Sequence, residues 1–186
     1  SVFVTGAGGA VGSMAGQFAR LLGASKVVGS AGGEEKCAWL KDECGFDEVI
    51  DYRTADVRAG LGEAFPDGID LFFDNVGGET LNAVLGQIRD HARIVMCGAI
   101  SNYDSKELQP GPANIINAIS RRALLQGFIV LDHFDRAQEA SQEMAQWLLA
   151  GRLQSRVDVT EGLEHAPDAL IGLFTGANIG KTLVAV

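Results

Sequence analysis

A chain of 186 residues, 47% of them hydrophobic, with a formal net charge of −9, has the length and apolar content for one globular domain with a substantial core. Its acidity argues against nucleic acid or an anionic membrane surface as main partner, because both would repel it, and no apolar run reaches membrane-spanning length, so the chain is expected to be soluble. The three cysteines, Cys37, Cys44 and Cys97, are too few and too scattered for a zinc site, and an odd number without a signal peptide points to a reducing compartment, with the cytosol as the default.

The chain opens inside an apolar strand, Val2-Phe3-Val4, with no preceding cap, linker or methionine, so it reads as a segment of a longer polypeptide. The strand runs into Thr5-Gly6-Ala7-Gly8-Gly9-Ala10-Val11-Gly12, whose glycines at 6, 9 and 12 have the spacing G-x-x-G-x-x-G. This differs from the usual dinucleotide fingerprint, since Val11 stands where Gly6 and Gly8 would call for a glycine. The physical requirements are nevertheless met: a sharp turn, a backbone open to a pyrophosphate, and a following helix whose first N–H groups face the anion. A plain glycine-rich turn is the competing reading. Met14, Phe18, Leu21 and Leu22 then recur at helical spacing, with Gly23 as the stop.

Lys26 to Ser30 is a second strand. In NAD-binding folds an acidic residue at its end, roughly 20 residues past the glycines, holds the ribose diol. None stands at Ser30 or Ala31; the turn Gly32-Gly33-Glu34-Glu35-Lys36 leaves room for a 2′-phosphate and supplies Lys36 to neutralise it, which favours NADP over NAD. Alternatively, Lys36 is a solvated residue in the first turn of the next helix. Cys37 and Cys44, seven apart, are expected on one face of that helix as inert buried thiols, and Trp39 on its apolar face.

Alternation continues with a strand at Val49-Ile50 ending in Asp51-Tyr52, a helix over 55–65, a strand over 69–73, a helix over 80–88 and a strand over 92–97. A sixth strand is expected over 124–129, a helix over 134–149 carrying Trp147 on its apolar face, and two closing strands at 157–159 and 182–186 around a helix over 166–174. This is the pattern of an α/β, doubly wound parallel sheet of the Rossmann kind. In such a sheet the loops after the strands line the ligand crevice. Asn75, after the fourth strand, is placed to bond a ribose or phosphate, or to make an Asx turn. Tyr103, after the fifth, is placed to donate to a carbonyl oxygen or to pack. Arg121-Arg122 read as cations closing a helix, and His91, His133 and His165 share no metal-ligand spacing.

Seven segments together resemble one family: Gly9-Ala10-Val11-Gly12, Gly33-Glu34-Glu35-Lys36, Asp51-Tyr52-Arg53-Thr54, Phe73-Asp74-Asn75-Val76-Gly77-Gly78, Cys97-Gly98-Ala99-Ile100-Ser101-Asn102-Tyr103, Gly127-Phe128-Ile129-Val130 and Gly176-Ala177-Asn178-Ile179-Gly180-Lys181. The chain, over essentially its whole length, resembles the cofactor domain of the medium-chain dehydrogenase/reductase superfamily, in its zinc-independent prostaglandin reductase, curcumin reductase and double-bond reductase branch. The resemblance implies that residues 1–186 are the NADP-binding domain of a two-domain enzyme, with an N-terminal substrate domain outside this chain, so that the isolated domain is expected to be inactive. It further implies NADP(H) bound by Gly9, Ala10, Val11 and Gly12, with Lys36 and Tyr52 at the 2′-phosphate, Asn75 along the cofactor, and Cys97, Gly98, Ala99, Ile100, Ser101 and Tyr103 near the nicotinamide. Phe128, Ile129, Val130 and Asn178 would complete the pocket.

The implied activity is reduction of the C=C bond of an α,β-unsaturated ketone or aldehyde by hydride transfer, without a metal, with Tyr103 as the catalytic hydrogen-bond donor. The implied partner is a small enone or enal, and a homodimer is left open. An NADPH quinone reductase and a non-catalytic NADPH-binding protein remain the alternatives; a methyltransferase is disfavoured by the missing acid at the second strand.

Overall fold

Along Val2–Val4 (β1), Val2 and Val4 join one apolar cluster and Phe3 the other, because successive strand side chains point to opposite faces. The whole domain follows from that alternation. The computed structural model describes residues 1–103 and 110–186. Six strands, β1, β2 (Val27–Ala31), β3 (Glu48–Asp51), β4 (Ile69–Asp74), β5 (Ile88–Met96) and β6 (Leu124–Gly127), form one parallel sheet in the order β3-β2-β1-β4-β5-β6. Both neighbours are in register with β1, Val2 pairing with Val27 and with Leu71.

On one face, α1 (Ala10–Leu21) and α2 (Glu34–Asp42) close over Val2, Val4, Val27, Trp39, Leu40 and Phe46. On the other, α3 (Val57–Ala64) and α4 (Gly78–Leu85) cover Phe3, Leu61, Phe65, Phe72, Val84 and Ile94, with the Phe3 and Phe72 rings stacked at 5.5 Å. The expected doubly wound α/β fold is therefore present. Strand order reverses beside β1, where β2 lies on one side and β4 on the other, and this opens a crevice at the strands' carboxyl ends.

Several boundaries differ from expectation. The helix expected to reach Ile88 ends at Leu85: the N–H of Gln87 turns back to the Val84 carbonyl at 2.8 Å, and Ile88, buried opposite Ile69, begins β5. Cys44 is not on the helix that carries Cys37. α2 stops at Asp42, the Cys44 N–H bonds the Trp39 carbonyl, and the chain turns to bring Phe46 into the core. Cys44 is buried all the same, and burial pushes its thiol up to about 12, whereas Cys37 is only partly buried. β6 ends at Gly127; Phe128–Val130 leave the sheet, and a 3-10 stretch over Val130–Arg136 precedes α6 (Ala137–Leu149).

Trp39 is buried as expected, and Trp147 packs against Phe18. Arg121 and Arg122 follow the single-turn α5 (Asn117–Ser120) and both pair with Asp90. The two last strands, β7 (Val157–Glu161) and β8 (Lys181–Ala185), do not extend the large sheet. They pair with each other in parallel, joined through α7 (Ala166–Thr175). Among the described residues no helix is long and apolar enough to cross a membrane.

Candidate functional site

The turn from β1 into α1 lies at the reversal of strand order, held by the Ala7 N–H on the Ser30 carbonyl and the Gly9 N–H on the Gly6 carbonyl. Gly9 is the N-cap of α1, without a side-chain cap and without an acid in the first turn, so the first-turn N–H groups are left to an outside acceptor. Val11 is exposed at this helix end and Ala10 half-exposed. Gly12 is buried: a Cβ there would overlap the Gly6 carbonyl and stand 2.7 Å from the Ala7 Cα, so helix and turn approach at a distance that only glycine permits. At Gly9 a Cβ would meet only the Gly6 oxygen, at an ordinary 3.5 Å.

At the ends of β2 and β3 a second group assembles. Lys36, in the first turn of α2, is 9% exposed, which rules out the solvated reading. Its Nζ donates to the Gly176 carbonyl at 2.7 Å. Burial, and then the neighbouring Arg53 charge, pull its pKa below that of an ordinary lysine. Tyr52 and Arg53 pack over Gly32, where a Cβ would lie 2.6 Å from Tyr52 Oη and 2.9 Å from Arg53 Nε. Arg53 donates from Nη2 to the Thr175 carbonyl at 3.3 Å. Asp51 Oδ1 accepts the N–H groups of Gly33 and Arg53, and these two bonds hold its carboxyl below the usual range. Nothing in the sequence marks Arg53 beyond its place in Asp51-Tyr52-Arg53-Thr54; the packing of that segment on Gly32 reveals it.

The third part is the pair of loops after β4 and β5. Asp74, 1% exposed, takes the turn-making role considered for Asn75: its Oδ1 accepts the N–H groups of Val76 and Gly77 and the Thr5 hydroxyl. Asn75 instead donates from Nδ2 to the Thr5 carbonyl at 2.7 Å, which stitches the ends of β1 and β4 and orients its amide at the crevice. The Asp74 carbonyl accepts from Cys97 and Gly98, and Ser101 Oγ donates to the Val76 carbonyl at 2.6 Å, so the two loops form one rim. Burial, and then Asp74, raise the Cys97 thiol above an ordinary cysteine. Tyr103 follows a 3-10 turn over Ile100–Asn102 and is 62% exposed; its Oη accepts the Ala99 N–H at 3.3 Å, which leaves its own hydrogen for an outside acceptor.

The remaining expected residues are more dispersed. Phe128 stacks on His133 with ring centres 5.3 Å apart, Ile129 and Val130 are exposed beyond the end of β6, and Asn178 bonds the Gly180 carbonyl through Nδ2. Gly180 in turn donates to the Gly8 carbonyl at 2.8 Å, which ties the segment before β8 to the glycine turn.

An open parallel sheet with an uncapped helix at its strand reversal and a cleft at the ends of β2 and β3 that holds Lys36 and Arg53 defines a Rossmann-type dinucleotide-binding protein. The chain belongs to the zinc-binding dehydrogenase family, whose model matches residues 10–149. It is 44% identical over 187 residues to the 2-alkenal reductase (NADP(+)-dependent) of Nicotiana tabacum, covering 100% of this chain and 54% of that protein. To prostaglandin reductase 1 of Bos taurus it is 45% identical over 187 residues, covering 99% of this chain and 56% of that protein. The crystal structure of CurA from Vibrio vulnificus in complex with NADPH superposes with a TM-score of 0.93 at 43% identity, over 100% of this chain and 56% of that one. The chain thus spans about half the length of the curated relatives it matches. The described residues do not fit the metal in the family's description: no three His, Cys, Asp or Glu among them stand together to hold one.

Proposed function

We propose that this chain is the NADP(H)-binding domain of an alkene reductase acting on α,β-unsaturated ketones or aldehydes, and that the substrate pocket is completed by an N-terminal domain of the longer protein. The observation that carries the reading is the pairing of a glycine turn without room for a side chain at Gly12 with a buried Lys36, beside Tyr52, at a β2 end that has no carboxylate for a ribose diol. The names of the tobacco and bovine relatives and the NADPH in the CurA complex support it.

The residues present fit that cofactor. The first-turn N–H groups of α1, from Ala10 to Gly12, receive the pyrophosphate, with Gly9 open to its approach, and Lys36 and Tyr52 receive the 2′-phosphate. Asn75 and the rim from Cys97 to Ser101 flank the cofactor's middle and nicotinamide end, and Phe128, Ile129, Val130 and Asn178 close the pocket. When bound, NADPH would supply a hydride to the β-carbon of the substrate's double bond, and a proton taken up from solvent at the α-carbon would complete the reduction. Tyr103 is the residue of this chain that acts on the reacting substrate: its hydroxyl, already accepting from Ala99, donates to the carbonyl oxygen and stabilises the negative charge that builds there.

The test is a titration of NADPH and NADH against the protein and its Lys36→Ala variant. Loss of one charge-assisted contact is expected to weaken NADPH by about 1.5–3 kcal/mol and NADH little; equal losses for both reject the role of Lys36. The pH dependence has a definite sign. Because the pKa of Lys36 is lowered from 10.5, its charge disappears earlier as pH rises, so the preference for NADPH is expected to fall on the alkaline side below that value, and Lys36→Arg to retain it.

A further inference from the structure

The position that a Cβ on Gly176 would occupy lies 3.5 Å from Tyr52 Oη, 3.7 Å from Lys36 Nζ and 3.8 Å from Arg53 Nη2. Three donors from two different segments thus surround one small space, and the left-handed backbone of Gly176, at φ +64°, keeps a side chain out of it. Around this space run Gly32, Gly33, Thr175 and Gly176, a cleft open to solvent.

Lys36 and Arg53 are like charges held beside one another. Among the described residues neither Lys36 nor Arg53 forms an ion pair, and the two cations repel, as the downward pull of Arg53 on Lys36 records. Of the nearby acids, Asp51 Oδ1 is taken by two backbone N–H groups, Glu35 is paired with Arg156 at 2.7 Å, and Glu34, which also lines the cleft, pairs with neither cation. In place of an anion, both cations lean on the carbonyls at the C-terminus of α7, Lys36 on Gly176 and Arg53 on Thr175 and Gly176. Those are partial charges, which a doubly charged phosphate outcompetes.

We infer that Arg53 is a third anchor for the 2′-phosphate, beside Lys36 and Tyr52, and a determinant of the choice of NADPH over NADH. The inference rests on the cofactor reading above. A guanidinium presents a planar fork that matches two phosphate oxygens, whereas Lys36 meets the same group as a point charge. Asp51 acts through Arg53: by fixing the Arg53 N–H it sets the direction in which the side chain leaves β3.

The test uses adenosine 2′,5′-bisphosphate and adenosine 5′-monophosphate, which differ only in the 2′-phosphate and lack the nicotinamide, titrated calorimetrically into the protein, R53A, R53K and K36A. The protein is expected to prefer the bisphosphate. R53A is expected to cut that preference by about 10-fold or more with the monophosphate unchanged, and R53K, which keeps charge without the fork, to recover part of it. Equal weakening of both nucleotides by R53A, or an unchanged preference in R53A while K36A loses it, overturns the role of Arg53 and leaves that of Lys36 standing. A wild-type protein with no preference for the bisphosphate overturns the cofactor reading and this inference together.

Discussion

Tyr103 Oη is held by the Ala99 N–H as an acceptor, so the direction left for its own hydrogen is away from the rim, toward whatever carbonyl lies over it. In the longer protein, Tyr103→Phe is therefore expected to lower kcat by about 10-fold or more while NADPH affinity stays within a few-fold, because only a bond that strengthens as charge builds is removed. An unchanged kcat under conditions where chemistry limits turnover would take Tyr103 out of the mechanism. At this scale the sequence was informative where a residue's chemistry has few uses, and poor where it has many. Lys36 was legible because the β2 end, Ser30-Ala31, carries no acid for a ribose diol and the turn that follows supplies a cation. The Asx turn weighed for Asn75 is made by Asp74 instead, because either side chain can make one and only the packing against Thr5 decides which does. Arg53 stayed hidden because its cleft closes with carbonyls from α7, more than a hundred residues away in sequence.

The approach of α1 to the β1 turn separates two glycines that look alike in the sequence. Gly9→Val is expected to fold, since a Cβ there makes an ordinary contact, yet to lose NADPH binding because its branches enter the phosphate approach. Gly12→Val is expected to lower the thermal midpoint sharply, its Cβ overlapping backbone that cannot yield. Melting curves and cofactor titrations of the two variants read both effects, and a folded Gly9→Val that binds like wild type defeats the close-approach argument. The order of strands and helices was recoverable because the strands of the large sheet contain short apolar runs beside turn signals, such as Val2-Phe3-Val4 and Leu71-Phe72-Phe73. Boundaries were less so: Ile88 continues a helical apolar spacing and is drawn into β5 by its pairing with Ile69, a contact that no local pattern encodes. The mutual pairing of β7 and β8 was likewise unreadable, since Val157-Asp158-Val159 and Thr182–Val186 suit an edge of the large sheet equally well.

For the whole molecule, the proposed reaction predicts where the hydrogen goes. The protein of which this chain is part is expected to reduce an enone but not a quinone, and stereospecifically deuterated NADPH to leave its label on the substrate's β-carbon, read by NMR of the product. Label absent from that carbon, or turnover of quinones alone, displaces the alkene reductase reading. The segment from Gly176 to Gly180 has one more consequence. It is fastened at one end to Lys36, proposed to hold the 2′-phosphate, and at the other to Gly8, beside the turn proposed to hold the pyrophosphate. Beyond it, β7, β8 and α7 have little interior of their own: among the described residues past Met96, the buried apolar side chains are Leu153 and Ile179 alone. Within this chain the small sheet meets the large one through polar contacts, among them Gly180 on Gly8, Lys36 on Gly176 and Arg156 on Glu35. A ligand that draws Lys36 and Arg53 off the α7 carbonyls is therefore expected to free the carbonyls of Thr175 and Gly176 while Gly180 stays tied to Gly8 and Arg156 to Glu35.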